Sequence, residues 1–150
     1  MKRVVSEHTI AVPLPLETAF MLFTPAGEEL WVDGWQPTYL NPASGYTEAG
    51  MVFTTGAGPE FTVWTLTDFD RGAHRSRYVR CTPASRLAIV EVACSAGASH
   101  TSVQVRYSVT ALAADASLEA YEGERFTAMI DGWARAIAER RETLLTAPLR

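Results

Sequence analysis

Residues 100–110 read HTSVQVRYSVT. The alternation is complete: Val103, Val105, Tyr107 and Val109 fall on one face, and Ser102, Gln104, Arg106 and Ser108 on the other. Such a period of two marks a strand with one dry face and one wet face. Working back along the chain, RLAIVEVAC (86–94), HRSRYVRCT (74–82), FTVWTLTDF (61–69) and MVFTT (51–55) carry the same strand chemistry. They are separated by SAGAS, PAS, DRGA and GAGPE. Strands joined by turns this short pair as an antiparallel meander.

Beyond residue 110 the period changes. From Asp115 or Ser117 to about Leu145, apolar residues recur at three- and four-residue spacings: Leu118, Phe126, Met129, Ile130, Trp133, Ile137 and Leu144. Glu122, Glu124, Arg135, Arg140, Arg141 and Glu142 occupy the other side. This predicts one long carboxy-terminal helix, which needs the sheet beneath it because propensity alone does not sustain such a length. At the other end, residues 2–12 alternate as a strand that places His8 with Val4, Ile10 and Val12. Pro13 and Pro15 end that strand. Pro15 opens a short helix carrying Leu16, Ala19, Phe20 and Phe23, and Thr24-Pro25 opens a second over about 25–31. Residues 31–45, WVDGWQPTYLNPASG, read as an irregular, aromatic-rich connection.

A chain of 150 residues with 47% hydrophobic content has enough apolar surface for one compact domain over 1–150, and 20% charge is too little to keep it unfolded. No apolar run is long enough for a membrane span, and the amino terminus lacks a signal-peptide core, so a cytoplasmic protein is expected. A net charge of −4 without a basic face argues against nucleic acid. Cys81 and Cys94 are too few for a disulfide framework and read as free, buried thiols. His8, His74 and His100 are far apart in sequence, so no metal is expected. Gly56-Ala57-Gly58 leads into a strand with Phe61 where a third glycine belongs, which removes the dinucleotide fingerprint. No cofactor is expected.

The order of strand, two short helices, meander and long helix resembles the SRPBCC superfamily, the START and Bet v 1-like helix-grip domains. The sharpest local piece is TPAGEELWVDGWQPTYL (24–40), which is similar to a stretch of a polyketide cyclase-like bacterial subgroup. Gly50 to Thr54, Trp64, Tyr78 to Arg80 and Thr101 follow it. The resemblance implies an α+β fold: a curved antiparallel sheet of about seven strands around a long carboxy-terminal helix, with two short helices between strands one and two. It also implies an internal cavity for a small hydrophobic or aromatic molecule. Fold does not fix function. Ligand binding is the leading expectation, a cyclase- or aromatase-like enzyme using the same cavity is the alternative, and a co-chaperone-like protein-binding module is the third. Monomer and homodimer both remain open.

Aromatic and apolar side chains that would face such a cavity are Trp31, Trp35 and Tyr39 in the connection, Trp64, Tyr78 and Tyr107 on strands, and Phe126, Met129 and Trp133 on the helix. Trp31 and Trp35 serve equally as a stacking wall for a ligand or as plugs that fix the loop. A helical stripe of this kind is usually core. Among polar groups, His8 would point inward, although an inward histidine is more often a hydrogen-bonded core residue. One of Glu28 and Glu29 turns toward the cavity, Glu28 occupying the family-like position, where burial would raise its pKa. Arg80 could anchor a carboxylate or enolate with two hydrogen bonds. Arg106 faces solvent by alternation, and Glu91 is placed to pair with an arginine on an adjoining strand. His8, Glu28 and Arg80 are thus the candidate catalytic groups.

Overall fold

The computed structural model describes residues 2–150. Seven antiparallel strands form one curved sheet: β1 (Arg3–Val12), β2 (Thr38–Asn41), β3 (Val52–Thr55), β4 (Thr62–Asp70), β5 (Arg75–Thr82), β6 (Arg86–Ala96) and β7 (Thr101–Ala111). Their order across the sheet is β1-β7-β6-β5-β4-β3-β2. Chain neighbours pair through short turns. β1 is the exception, closing against β7 from Arg3 opposite Thr110 to Val12 opposite Thr101. The alternation read in residues 100–110 holds, since Val103, Val105 and Val109 are fully buried and Tyr107 nearly so.

Helices α1 (Leu16–Met21) and α2 (Pro25–Glu28) fill the interval between β1 and β2, and α3 (Gly123–Glu139) and α4 (Arg141–Leu145) close the chain. Phe126, Ile130 and Ile137 form the buried stripe of α3, and they join the inward residues of the sheet in one hydrophobic core. On the outer face, strand register sets Asp68, Arg77, Glu91, Arg106 and Glu7 in one row of alternating sign across five strands. Glu91 therefore lies between two arginines, and Arg106 is exposed as its alternation requires.

Three expectations need correction. The connection over 31–45 contains a strand, because Tyr39 pairs with Phe53 and its side chain packs on that ring. No alternation of apolar residues announced this edge strand, whose four residues are half-buried or exposed. The second short helix stops at Glu28 instead of continuing to residue 31. The terminal helix starts at Gly123, not at 115–117, and breaks at Arg140. Gly123 has φ +52°, a conformation through which a right-handed helix does not run. The preceding turn uses Tyr121 to stack on Tyr107. Cys94 is buried as expected, whereas Cys81 is only half-buried.

Candidate functional site

The site begins with the two short helices. Thr24 caps α2 by accepting a hydrogen bond from the Gly27 amide at 3.0 Å, and its hydroxyl donates to the Met21 carbonyl at 2.6 Å. Pro25 occupies the first turn, where a missing amide hydrogen does no harm. Gly27 lies so close to α1 that a Cβ would sit 2.0 Å from the Met21 carbonyl oxygen. This tight corner turns the next side chain, Glu28, into the interior, while Glu29 faces outward and accepts a hydrogen bond from the Tyr39 hydroxyl at 2.6 Å.

Two indoles hold the corner in place. Trp31 Nε1–H donates to the Leu22 carbonyl at 2.8 Å, and Trp35 Nε1–H donates to the Pro25 carbonyl at 2.9 Å. Trp35 meets Trp64 and Phe53 edge-on, and Trp31 meets Trp133 in the same way. Of the two roles open to these residues, the plug describes their geometry, for neither ring lines the interior space.

That space is a cavity of about 20 Å³ between α2, the sheet and α3, lined by Phe23, Glu28, Trp64, Tyr78, Val90, Val92, Tyr107 and Trp133. It has room for roughly one water molecule. Tyr78 donates its hydroxyl to the Phe23 carbonyl at 2.8 Å, and Trp64 donates its indole N–H to Thr55 Oγ1 at 2.9 Å. Arg80 adjoins the cavity on the inward face of β5, with its guanidinium 4.4 Å from the centre of the Trp64 ring. Among the described residues, no hydrogen bond or ion pair engages the Glu28 carboxyl.

Burial raises the pKa of Glu28 to about 8, although the positive charge of Arg80 acts in the opposite direction. Burial also pushes Tyr107 up to about 12, against a lowering by Arg80, and raises Tyr78 well above the normal phenol value. The cavity is therefore lined by aromatic rings and by a carboxyl whose pKa burial raises.

Four of the nine aromatic and apolar candidates, Trp64, Tyr78, Tyr107 and Trp133, are brought together at the cavity with Glu28. Phe126 is buried behind Tyr107, which it meets edge-on, and Met129 packs on the margin of the core. Tyr39 lies outside, between Glu29 and Arg150; burial and the bond to Glu29 raise its pKa. His8 does share the inward sheet face, but it sits at the rim with Nε2 2.7 Å from Asp131 Oδ1 on α3, and does not reach the cavity. His74 faces Glu17, and His100 lines a separate surface groove with Pro13 and Arg141. Phe23, Val90 and Val92 line the cavity without having been singled out as site residues. The signal for the two valines was their alternation with Glu91 on β6. Among the described residues, no group of three or more His, Cys, Asp or Glu is placed to hold a metal, and no helix is long and apolar enough to cross a membrane.

No protein-family profile and no curated protein sequence matches the chain. Solved structures do. The crystal structure of Ara h 8.0201 superposes with a TM-score of 0.69 at 14% identity, covering 97% of this chain and all of that one. Norcoclaurine synthase from Thalictrum flavum gives 0.61 at 10% identity over 92% of this chain and 88% of that one. DynU16, a protein of the dynemicin biosynthetic locus, gives 0.65 at 15% identity over 93% of this chain and 47% of that chain. Identities this low carry the architecture and not the chemistry. The sheet wrapped on α3, the two short helices at its end and these superpositions together give the chain a Bet v 1-like helix-grip fold.

Proposed function

We propose that this protein binds a small aromatic molecule in the interior, in the space bounded by Glu28, Trp64, Tyr78, Tyr107 and Trp133. The observation that carries this reading is the Glu28 carboxyl, which faces an aromatic-lined cavity without a partner. The carboxyl is half-buried at the edge of an apolar wall, and a pocket with a few convergent polar groups in such a wall suits ligand recognition.

The cavity of about 20 Å³ is too small for a ring, so a side chain moves when the ligand arrives. Trp133 is that side chain. The indole N–H groups of Trp31, Trp35 and Trp64 are all tied by hydrogen bonds, whereas that of Trp133 bonds to no described residue and its ring is only partly buried. Swinging it out of the wall would open the cavity toward the sheet and α2. Titration with the neutral fluorophore N-phenyl-1-naphthylamine tests this. One saturable site is expected, with affinity raised about tenfold in Trp133→Ala because the ring no longer has to be displaced. Absence of saturable binding in both proteins overturns the proposal.

A proton-transfer enzyme using the same cavity is the second reading. A carboxyl with a pKa of about 8 is poised for general acid–base work near neutral pH, and Arg80 is placed to steady an adjacent oxyanion. NMR of 2-tetralone in deuterated buffer would follow exchange of its acidic CH protons. Catalysed exchange that disappears in Glu28→Gln supports this reading, and exchange no faster than in buffer sinks it.

A further inference from the structure

The polar groups around the cavity divide into those already engaged and those left free. Tyr78, Trp31, Trp35 and Trp64 give their hydrogens to protein acceptors. Three groups remain: the Glu28 carboxyl, the Tyr107 hydroxyl and the Arg80 guanidinium. The Arg80 guanidinium lies within reach of the Tyr107 oxygen and lowers its pKa, leaving the phenol hydrogen free, while the Glu28 carboxyl makes no side-chain hydrogen bond; no carboxylate lies within ion-pairing distance of Arg80 among the described residues. Glu28 and Tyr107 both line the cavity, and Arg80 lies over the Trp64 ring of the same wall, close enough to pull on the protonation of both.

Resting on the reading of this cavity as a ligand site, we propose that its ligand is a small planar acid: an aromatic carboxylate, or an acidic phenol or enol. Its anionic oxygens are held by Arg80, the Glu28 carboxyl and the Tyr107 hydroxyl. Three lines of chemistry lead there. All three groups can donate hydrogen bonds, which calls for a ligand rich in acceptors. Arg80 forms no direct ion pair, although Glu28 and Glu60 feel its charge, and that charge disfavours a cationic ligand and favours an anionic one. Its guanidinium lies over the Trp64 ring, so the ring fixes one of its faces and leaves the fork of N–H groups to meet a carboxylate in two parallel hydrogen bonds.

Glu28 makes the recognition dependent on pH. While protonated it donates to the ligand; once ionised it repels it. The charged or titratable groups facing Glu28 are Arg80 and Tyr78 on β5, Tyr107 on β7 and Tyr39 on β2. The three phenols are all raised and stay protonated well past the Glu28 transition, and Arg80 stays charged.

The test compares 2-naphthoate with 2-naphthamide, a neutral molecule of the same shape, by calorimetry on the whole chain at several pH values. Expected is an acid bound about tenfold or more tighter than the amide at neutral pH, with the preference lost in Arg80→Met while amide affinity holds. Naphthoate affinity should fall by up to about tenfold per pH unit above about pH 8, and Glu28→Gln should remove that fall. Equal binding of acid and amide overturns the acid class and leaves the ligand-binding reading standing. Binding of neither overturns both. Should Arg80→Met fail to fold, the acid-to-amide ratio and its pH profile in the unaltered protein decide alone.

Discussion

Glu28 shows how one residue's chemistry is set by its neighbours. A glutamate has an ordinary pKa near 4.5, and burial takes this one to about 8 in the folded chain. The folded state therefore holds a proton that the unfolded state releases. Stability that is fully present below about pH 4.5 is lost as the pH rises through about 8, and levels off above that. Glu28→Gln should flatten this slope. In urea unfolding, the variant is expected to match the parent near about pH 4 and to exceed it by up to about 5 kcal/mol near about pH 9. A parallel pair of stability curves would place the carboxyl in water. The sequence offered Glu28 and Glu29 together. Only the α2 corner decides between them, because successive residues on a helix point about 100° apart and one of the two must face outward.

At the scale of elements, the α1–α2 corner is the part most sharply fixed by contacts. Gly27→Ala places a methyl carbon where the Met21 carbonyl oxygen stands, and that atom is backbone, which cannot swing aside. The expected cost is about 2 kcal/mol or more of stability, read as a lowered thermal midpoint. Because the corner also aims Glu28, weaker ligand binding should accompany it. The start of α2 was legible from Thr24 and Pro25, since capping is local chemistry. The end of α2 and the start of α3 were not. An apolar stripe continues through residues 115–122, but Leu118 and Tyr121 are buried or stacked from a turn and not from a helix. Periodicity reports which residues face the core and is silent on the backbone that presents them. β2 escaped for the complementary reason: an edge strand with one neighbour needs no alternation, and its place comes from pairing with β3.

Across the whole molecule, stability should be graded from the centre of the sheet outward. β5, β6 and β7 have partners on both sides and carry the buried residues Tyr78, Val90, Val105 and Tyr107, while β2 has four half-buried or exposed residues and a single partner. Hydrogen exchange should be slowest for the amides of β6 and β7 and faster by about two or more orders of magnitude at Thr38–Asn41. Addition of a ligand should slow exchange around α2 and Trp133 more than anywhere else. Uniform exchange along the sheet would contradict this ordering.

Six of the seven strands, the short turns between them, the inward faces of β1 and β7 and the order of strand, short helices, meander and long helix were carried by the sequence alone, because alternation, capping and short turns are written in near neighbours. Which polar groups meet was decided only by the tertiary structure. Glu28, Arg80 and Tyr107 come from α2, β5 and β7, and their encounter depends on the curl of the sheet and the angle of one tight corner. That the indole N–H groups of three tryptophans are hydrogen-bonded, and that of Trp133 bonds to no described residue, was hidden for the same reason: a hydrogen bond from an indole to a distant oxygen leaves no periodic trace in the chain.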